Sequence, residues 1–119
     1  MQKQRLLVCD DETGIQESLN LILSDNFDLL FLHDGEKIIQ QLENNPDIKA
    51  VLLDIKIPKK NGIEILKEIK SFNKELPVIM ITGYQSIETA HEASKLGAFD
   101  YITKPFDSKT VLETVRKAI

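Results

Sequence analysis

The chain has 119 residues, 42% of them hydrophobic and 29% charged, with a net charge of −4, which suits one ordinary core in one domain over 1–119 and excludes intrinsic disorder. No apolar stretch approaches the roughly 20 residues needed to cross a bilayer, and the start MQKQRLLVCD lacks a signal-peptide h-region, so a cytoplasmic location without a membrane partner is expected. Interleaved acids and bases leave no footprint for direct nucleic-acid binding by this segment.

The first apolar run, RLLVC, ends in Asp10, Asp11 and Glu12. Its Cys9 is the only cysteine, so an intrachain disulfide is impossible, a four-ligand zinc cage is disfavoured, and an inert buried thiol is expected. A helical stripe follows at Ile15, Leu19 and Ile22, with Thr13 as a helix-start residue. Taken alone, the three acids could simply cap and complement that helix's N-terminus, a stabilisation of up to about 1 kcal/mol. The second run, FDLLFL, leads into His33 and Asp34, ordinary loop residues. A stripe at Ile38 and Leu42 comes next, and Pro46 interrupts it before the third run, AVLLD, which ends in Asp54. In IKIPKK, Lys56, Lys59 and Lys60 read as a solvated loop or as a patch that steers an anionic partner. Gly62 opens the helical segment carrying Leu66 and Ile69, and Pro77 opens the fourth run, PVIMIT, which ends in Thr82. In SIETAHEASKLG, Gly97 stands where a helix C-cap glycine belongs and His91 reads as a surface residue. The weak fifth run, DYIT, leads through Thr103 to Lys104 and Pro105, and a last stripe at Val111, Val115 and Ala118 finishes the chain. Ending inside a helix suits either a minimal protein or one domain of a longer one.

Val51 to Leu53 and Val78 to Ile81 do not alternate polar with apolar, as expected for strands buried on both faces of a parallel sheet. Five strand–helix units predict an α/β fold with right-handed crossovers. Periodicity does not give the strand order.

In open α/β sheets, ligands bind beyond the carboxyl ends of the strands. There the sequence offers Asp10 and Asp11, Asp54, Thr82 and Lys104. Two carboxylates about 4 Å apart repel by roughly 4 kcal/mol at an effective dielectric near 20, so a cation is needed. An all-oxygen site that retains water suits Mg²⁺. A carboxylate beside Mg²⁺ and a lysine stays ionised, which makes Asp54 a candidate nucleophile. The metal and Lys104 would neutralise charge on a transferring phosphoryl group, and Thr82 would bond the product oxygen.

Four motifs, VCDDE, LLDIKIPKKNG, IMITGY and FDYITKPF, occur in the order found in receiver domains of bacterial two-component response regulators. The chain resembles that family over essentially its whole length. TGYQSIETAHEASKLGAFDYITKPF is most similar to receivers that precede the ATPase modules of NtrC-type transcription activators. The resemblance implies a flavodoxin-like, CheY-like doubly wound sheet of order 2-1-3-4-5 with five helices. It implies a regulatory phosphoprotein that catalyses its own phosphorylation and dephosphorylation. Asp54 would accept the phosphoryl group from a phosphohistidine of a sensor histidine kinase or phosphotransfer protein. Asp10, Asp11, Asp54 and the backbone carbonyl of Lys56 would hold Mg²⁺, with Mn²⁺ able to substitute. Lys104 would pair with phosphoryl oxygens, and Thr82 and Tyr101 would form the switch, the ring turning inward as Thr82 moves. The competing reading of Tyr101 is a half-buried packing residue, with the switch role preferred. The Lys104–Pro105 peptide would be cis. Lys56 and Tyr84 stand at positions similar to the family's tuning sites for phosphoryl lifetime. Output to a domain or partner, in transcription regulation, would run through the SIETAHEASKLG helix, the DYIT strand and the final helix, with a homodimer left open. Ala90, Ala93, Gly97 and Ala98 would allow close approach there, unless they serve internal packing.

Three rivals carry other expectations. A haloacid-dehalogenase-like phosphohydrolase wants an acid two residues after the nucleophile, where this chain has Lys56. A flavin carrier of the same fold wants a hydroxyl- and glycine-rich phosphate loop where this chain has acids. An adaptor that has lost phosphorylation would not need the complete set of Asp54, the metal acids, Thr82 and Lys104.

Overall fold

The computed structural model describes residues 3–56, 61–83 and 87–119, with Ile87 and Ala90 described by backbone alone. Strands β1 (Gln4–Cys9), β2 (Phe27–Leu32), β3 (Ile48–Asp54), β4 (Val78–Gly83) and β5 (Asp100–Lys104) alternate with helices α1 (Thr13–Leu23), α2 (Ile38–Asn44), α3 (Gly62–Phe72), α4 (Ile87–Lys95) and α5 (Ser108–Ala118). All strand pairs are parallel, in the order β2-β1-β3-β4-β5. The flavodoxin-like topology expected from the resemblance is the one observed.

The two-residue strand period divides the core in two. Leu7, Cys9, Val51, Leu53, Val78 and Met80 point to one face, where Ile38 and Leu42 of α2, Ile65, Leu66 and Ile69 of α3 and Ala93 of α4 cover them. Leu6, Val8, Ala50, Leu52, Ile79 and Ile81 point to the other, against Leu19 and Leu23 of α1 and Val111 and Val115 of α5. Each Val, Leu, Ile or Met among them contributes roughly 1.5–3 kcal/mol by leaving water. The runs without alternation are thus strands packed on both sides, as expected.

Chain punctuation follows known chemistry. Asn61 caps α3, its side chain accepting from the Glu64 N–H at 3.0 Å. Asp107 caps α5 in the same way, accepting from the Thr110 N–H at 2.7 Å. Gly97 closes α4 with φ near +99°, where the Ala98 N–H reaches the Ala93 carbonyl and the Gly97 N–H reaches Ser94. Ala93 is buried, so internal packing is its role and a partner cannot approach it. Gly97 is exposed and Ala98 partly so. No helix among the described residues is long and apolar enough to cross a membrane.

Candidate functional site

Sheet order brings the chemistry together. Because β1 and β3 are central neighbours, with Cys9 opposite Leu53, the residues that follow them, Asp10 and Asp54, meet at one sheet edge. Thr82 on β4 lies one residue beyond Ile81, the partner of Asp54, and opposite Thr103. Lys104 ends β5 beside Gly83. Asp10, Asp54 and Thr82 are buried, whereas Asp11 is exposed.

Asp10, Asp11, Glu12 and Asp54 each offer a carboxylate oxygen within 4.8 Å of the others. Lys104 Nζ lies 3.0 Å from Asp54 Oδ2, 3.3 Å from Asp10 Oδ2 and 3.5 Å from Glu12 Oε1. Burial pulls the Lys104 ammonium down, but its hydrogen bond to Asp54 and the charges of Asp54 and Asp10 outweigh this and raise it above the usual lysine value. It therefore stays a cation. Asp10 moves upward from the ordinary carboxylate range because burial disfavours its charge and Asp54 repels it, only partly offset by the Glu12 N–H and Lys104.

One detail tests whether a cation fits. Asp10 Oδ1 accepts from the Glu12 N–H at 2.9 Å, but the fully buried Oδ2 has no aligned hydrogen-bond donor among the described residues, its contact with Lys104 being an ion pair only. Four clustered carboxyl groups around one ammonium that pairs with three of them, with one buried oxygen lacking a hydrogen bond, suit a hard divalent ion bound through oxygen. The residues fit Mg²⁺.

The neighbouring loops hold Asp54 in place. Its Oδ1 accepts from the Lys56 N–H at 3.1 Å, leaving Oδ2 for Lys104. Gly62 donates its N–H to the Ile55 carbonyl at 2.7 Å, and a Cβ at Gly62 would stand 2.6 Å from the Asp54 carbonyl oxygen and from Ile55 Cα. Only glycine lets the start of α3 press this closely on the end of β3. Thr82 directs its hydroxyl to the Gly83 carbonyl at 3.2 Å. Tyr101 projects outward, 47% exposed, beside a cavity of about 270 Å³ lined by Met80, Ala93, Ala98 and Phe99 among others. The Lys104–Pro105 peptide is cis.

Glu12 occupies the N-cap position of α1 but makes no side-chain cap, so capping does not explain it; it joins the acidic cluster instead. Cys9 is buried, its thiol bonded to the Asp34 carbonyl at 3.3 Å and pushed up to about 12 mainly by burial, so it is inert as expected. His33 and His91 are exposed. Tyr84, Lys59 and Lys60 lie outside the described residues, as does the Ala90 side chain. Sequence reasoning did not find Gln16, a buried amide bonded to the backbone at the acidic bend, or the contact role of Gly62. A polar residue one position after Ile15 in the apolar stripe was the available signal for Gln16.

Comparison with known proteins agrees with this geometry. Residues 6–116 match the family described as response regulator receiver domain. The regulatory protein AtoC of Escherichia coli K12 is 36% identical over 117 residues, covering 97% of this chain and 25% of AtoC. Sporulation initiation phosphotransferase F of Bacillus subtilis is 33% identical, covering 98% of this chain and 94% of that protein. NtrX from Brucella abortus superposes with a TM-score of 0.91 at 34% identity over 98% of this chain and 27% of NtrX. A receiver domain protein from Clostridium thermocellum also gives 0.91, at 32% identity over 97% and 93% of the two chains. The chain thus spans about a quarter of the length of relatives such as AtoC and nearly all of others. On fold, site and sequence together, the chain belongs to the receiver domains of two-component response regulators, and among them it is similar to those of the NtrC-type transcription regulators.

Proposed function

We propose that residues 1–119 form one receiver whose Asp54 takes a phosphoryl group from a phosphohistidine and whose own side chains promote both the transfer and the later hydrolysis. The observation that carries this reading is the position of Lys104 Nζ, 3.0 Å from Asp54 Oδ2 and 3.3 Å from Asp10 Oδ2, at the carboxyl end of the sheet. A carboxylate oxygen of Asp54 forms the new P–O bond as the P–N bond to the donor imidazole breaks. Lys104 then pairs with the oxygen charge that arrives, exchanging a carboxylate partner for a phosphoryl one.

Asp10, Asp11, Asp54 and the Lys56 carbonyl are the groups to hold Mg²⁺. When bound, the ion supplies positive charge to the phosphoryl oxygens. Thr82, next to the acceptor across the β3–β4 pairing, gives up its bond to Gly83 and donates to a phosphoryl oxygen. Its departure opens room toward Tyr101, whose ring turns from solvent into the adjoining cavity. The face formed by α4, β5 and α5 then differs between the two states and addresses an output domain or partner in transcription regulation. Kinases and phosphotransfer proteins are the partners on the acceptor side.

Incubation with Mg²⁺ and acetyl phosphate or a phosphoramidate, followed by intact-mass measurement, tests the acceptor. Wild type should gain one phosphate and Asp54→Ala none. An adduct of equal yield on Asp54→Ala would overturn the assignment.

A further inference from the structure

Asp10 is held at almost every polar atom, and one of the holding groups is a side chain from α1. The Asp10 N–H donates to the Leu32 carbonyl at 3.1 Å, and its Oδ1 accepts from the Glu12 N–H at 2.9 Å. Its carbonyl accepts from Gln16 Nε2 at 2.8 Å, and the same nitrogen donates to the Leu32 carbonyl at 3.1 Å. Both acceptors are carbonyl oxygens, so the amide orientation of Gln16 is forced: only its NH₂ can face them. Gln16 is 8% exposed, and its own N–H bonds to the Glu12 carbonyl at 3.1 Å. One amide therefore joins the last carbonyl of β2 to the first residue after β1, where the strand ladder has run out.

With N–H, C=O and Oδ1 all engaged, the Oδ2 of Asp10, which has no hydrogen bond and only the Lys104 ion pair at 3.3 Å, has little freedom in where it points. We propose that Gln16 is a positioning residue for the divalent-cation site, clamping the Asp10 peptide so that Oδ2 is presented to the ion without rearrangement. The proposal rests on the phosphoacceptor reading above. A cation that demands near-octahedral oxygen geometry tolerates little misplacement of a ligand, so the support behind Asp10 matters as much as the carboxylate itself.

The test compares Gln16→Met, which keeps length and apolar bulk but has no donor, with Thr114→Val. Thr114 is likewise 8% exposed and donates to a backbone carbonyl, that of Thr110 at 2.8 Å, but on α5 outside the acidic cluster. Mg²⁺ affinity is measured by calorimetry on the full chain, with urea stability measured in parallel. Gln16→Met should weaken Mg²⁺ on the order of tenfold, while Thr114→Val binds as wild type does despite a comparable loss of stability. Unchanged Mg²⁺ affinity in Gln16→Met, or equal weakening in both variants, overturns the proposal.

Should Gln16→Met fail to fold, the wild-type protein carries the test. Its Gln16 side-chain amide resonances should exchange slowly with solvent and shift along the same Mg²⁺ saturation curve as the Asp10 backbone signal. An amide that exchanges freely and stays put contradicts the clamp. No Mg²⁺ binding by wild type would instead sink the metal reading, and this inference with it.

Discussion

A carboxyl group with no exposed surface and one oxygen lacking a hydrogen bond destabilises a fold, and Asp10 is such a group. Lys104 relieves part of the repulsion but is shared among Asp10, Glu12 and Asp54. Replacing Asp10 by Asn removes the buried charge, keeps an acceptor for the Glu12 N–H, and should stabilise the metal-free protein at neutral pH. The gain should be on the order of 1–3 kcal/mol, the usual cost of a buried unsatisfied group, read as a higher urea midpoint with unchanged slope. The same variant should lose most of its Mg²⁺ affinity. A less stable Asp10→Asn protein would contradict the strain assigned here. Asp10, Asp54 and Lys104 were legible in the sequence because each closes an apolar run. Gln16 was not, because its role depends on two carbonyls that only the folded β1 and β2 ends bring within its reach.

At the level of elements, five apolar runs, four helical stripes and the C-cap glycine Gly97 were enough to read five strand–helix units. Strand order was invisible to periodicity and came instead from the family resemblance. The junction of β3 and α3 illustrates what remained hidden. Gly62 read as a helix opener, yet its larger role is to let Asn61-capped α3 abut the backbone of Asp54 and Ile55. Gly62→Ala places a methyl 2.6 Å from two backbone atoms, neither of which can rotate away. It should therefore cost about 1–3 kcal/mol by overpacking. It should also slow phosphorylation by acetyl phosphate, since the displaced segment carries Asp54, the proposed acceptor. A Gly62→Ala protein with wild-type stability and rate would show that the contact relaxes freely.

At the scale of the whole molecule, the proposed switch joins the charged sheet edge to a distant face through Thr82 and Tyr101. In the structure Tyr101 is turned to solvent while Thr82 bonds Gly83, and a cavity lies beside the ring, as the proposed inward packing requires. Thr82→Ala should accept phosphate at Asp54 nearly as wild type does, yet lose the shifts of Tyr101 and Ile102 resonances that phosphorylation otherwise produces. Loss of phosphorylation itself in this variant, or remote shifts that persist, would contradict the division between acceptor and relay. All of this depends on acids from separate chain segments sharing one divalent ion at the acceptor. The direct measurement is the rate of Asp54 phosphate-adduct formation from acetyl phosphate across a Mg²⁺ titration. The rate should rise to saturation with added ion and vanish in excess chelator; an equal rate in chelator would mean that the acidic cluster has no part in the chemistry.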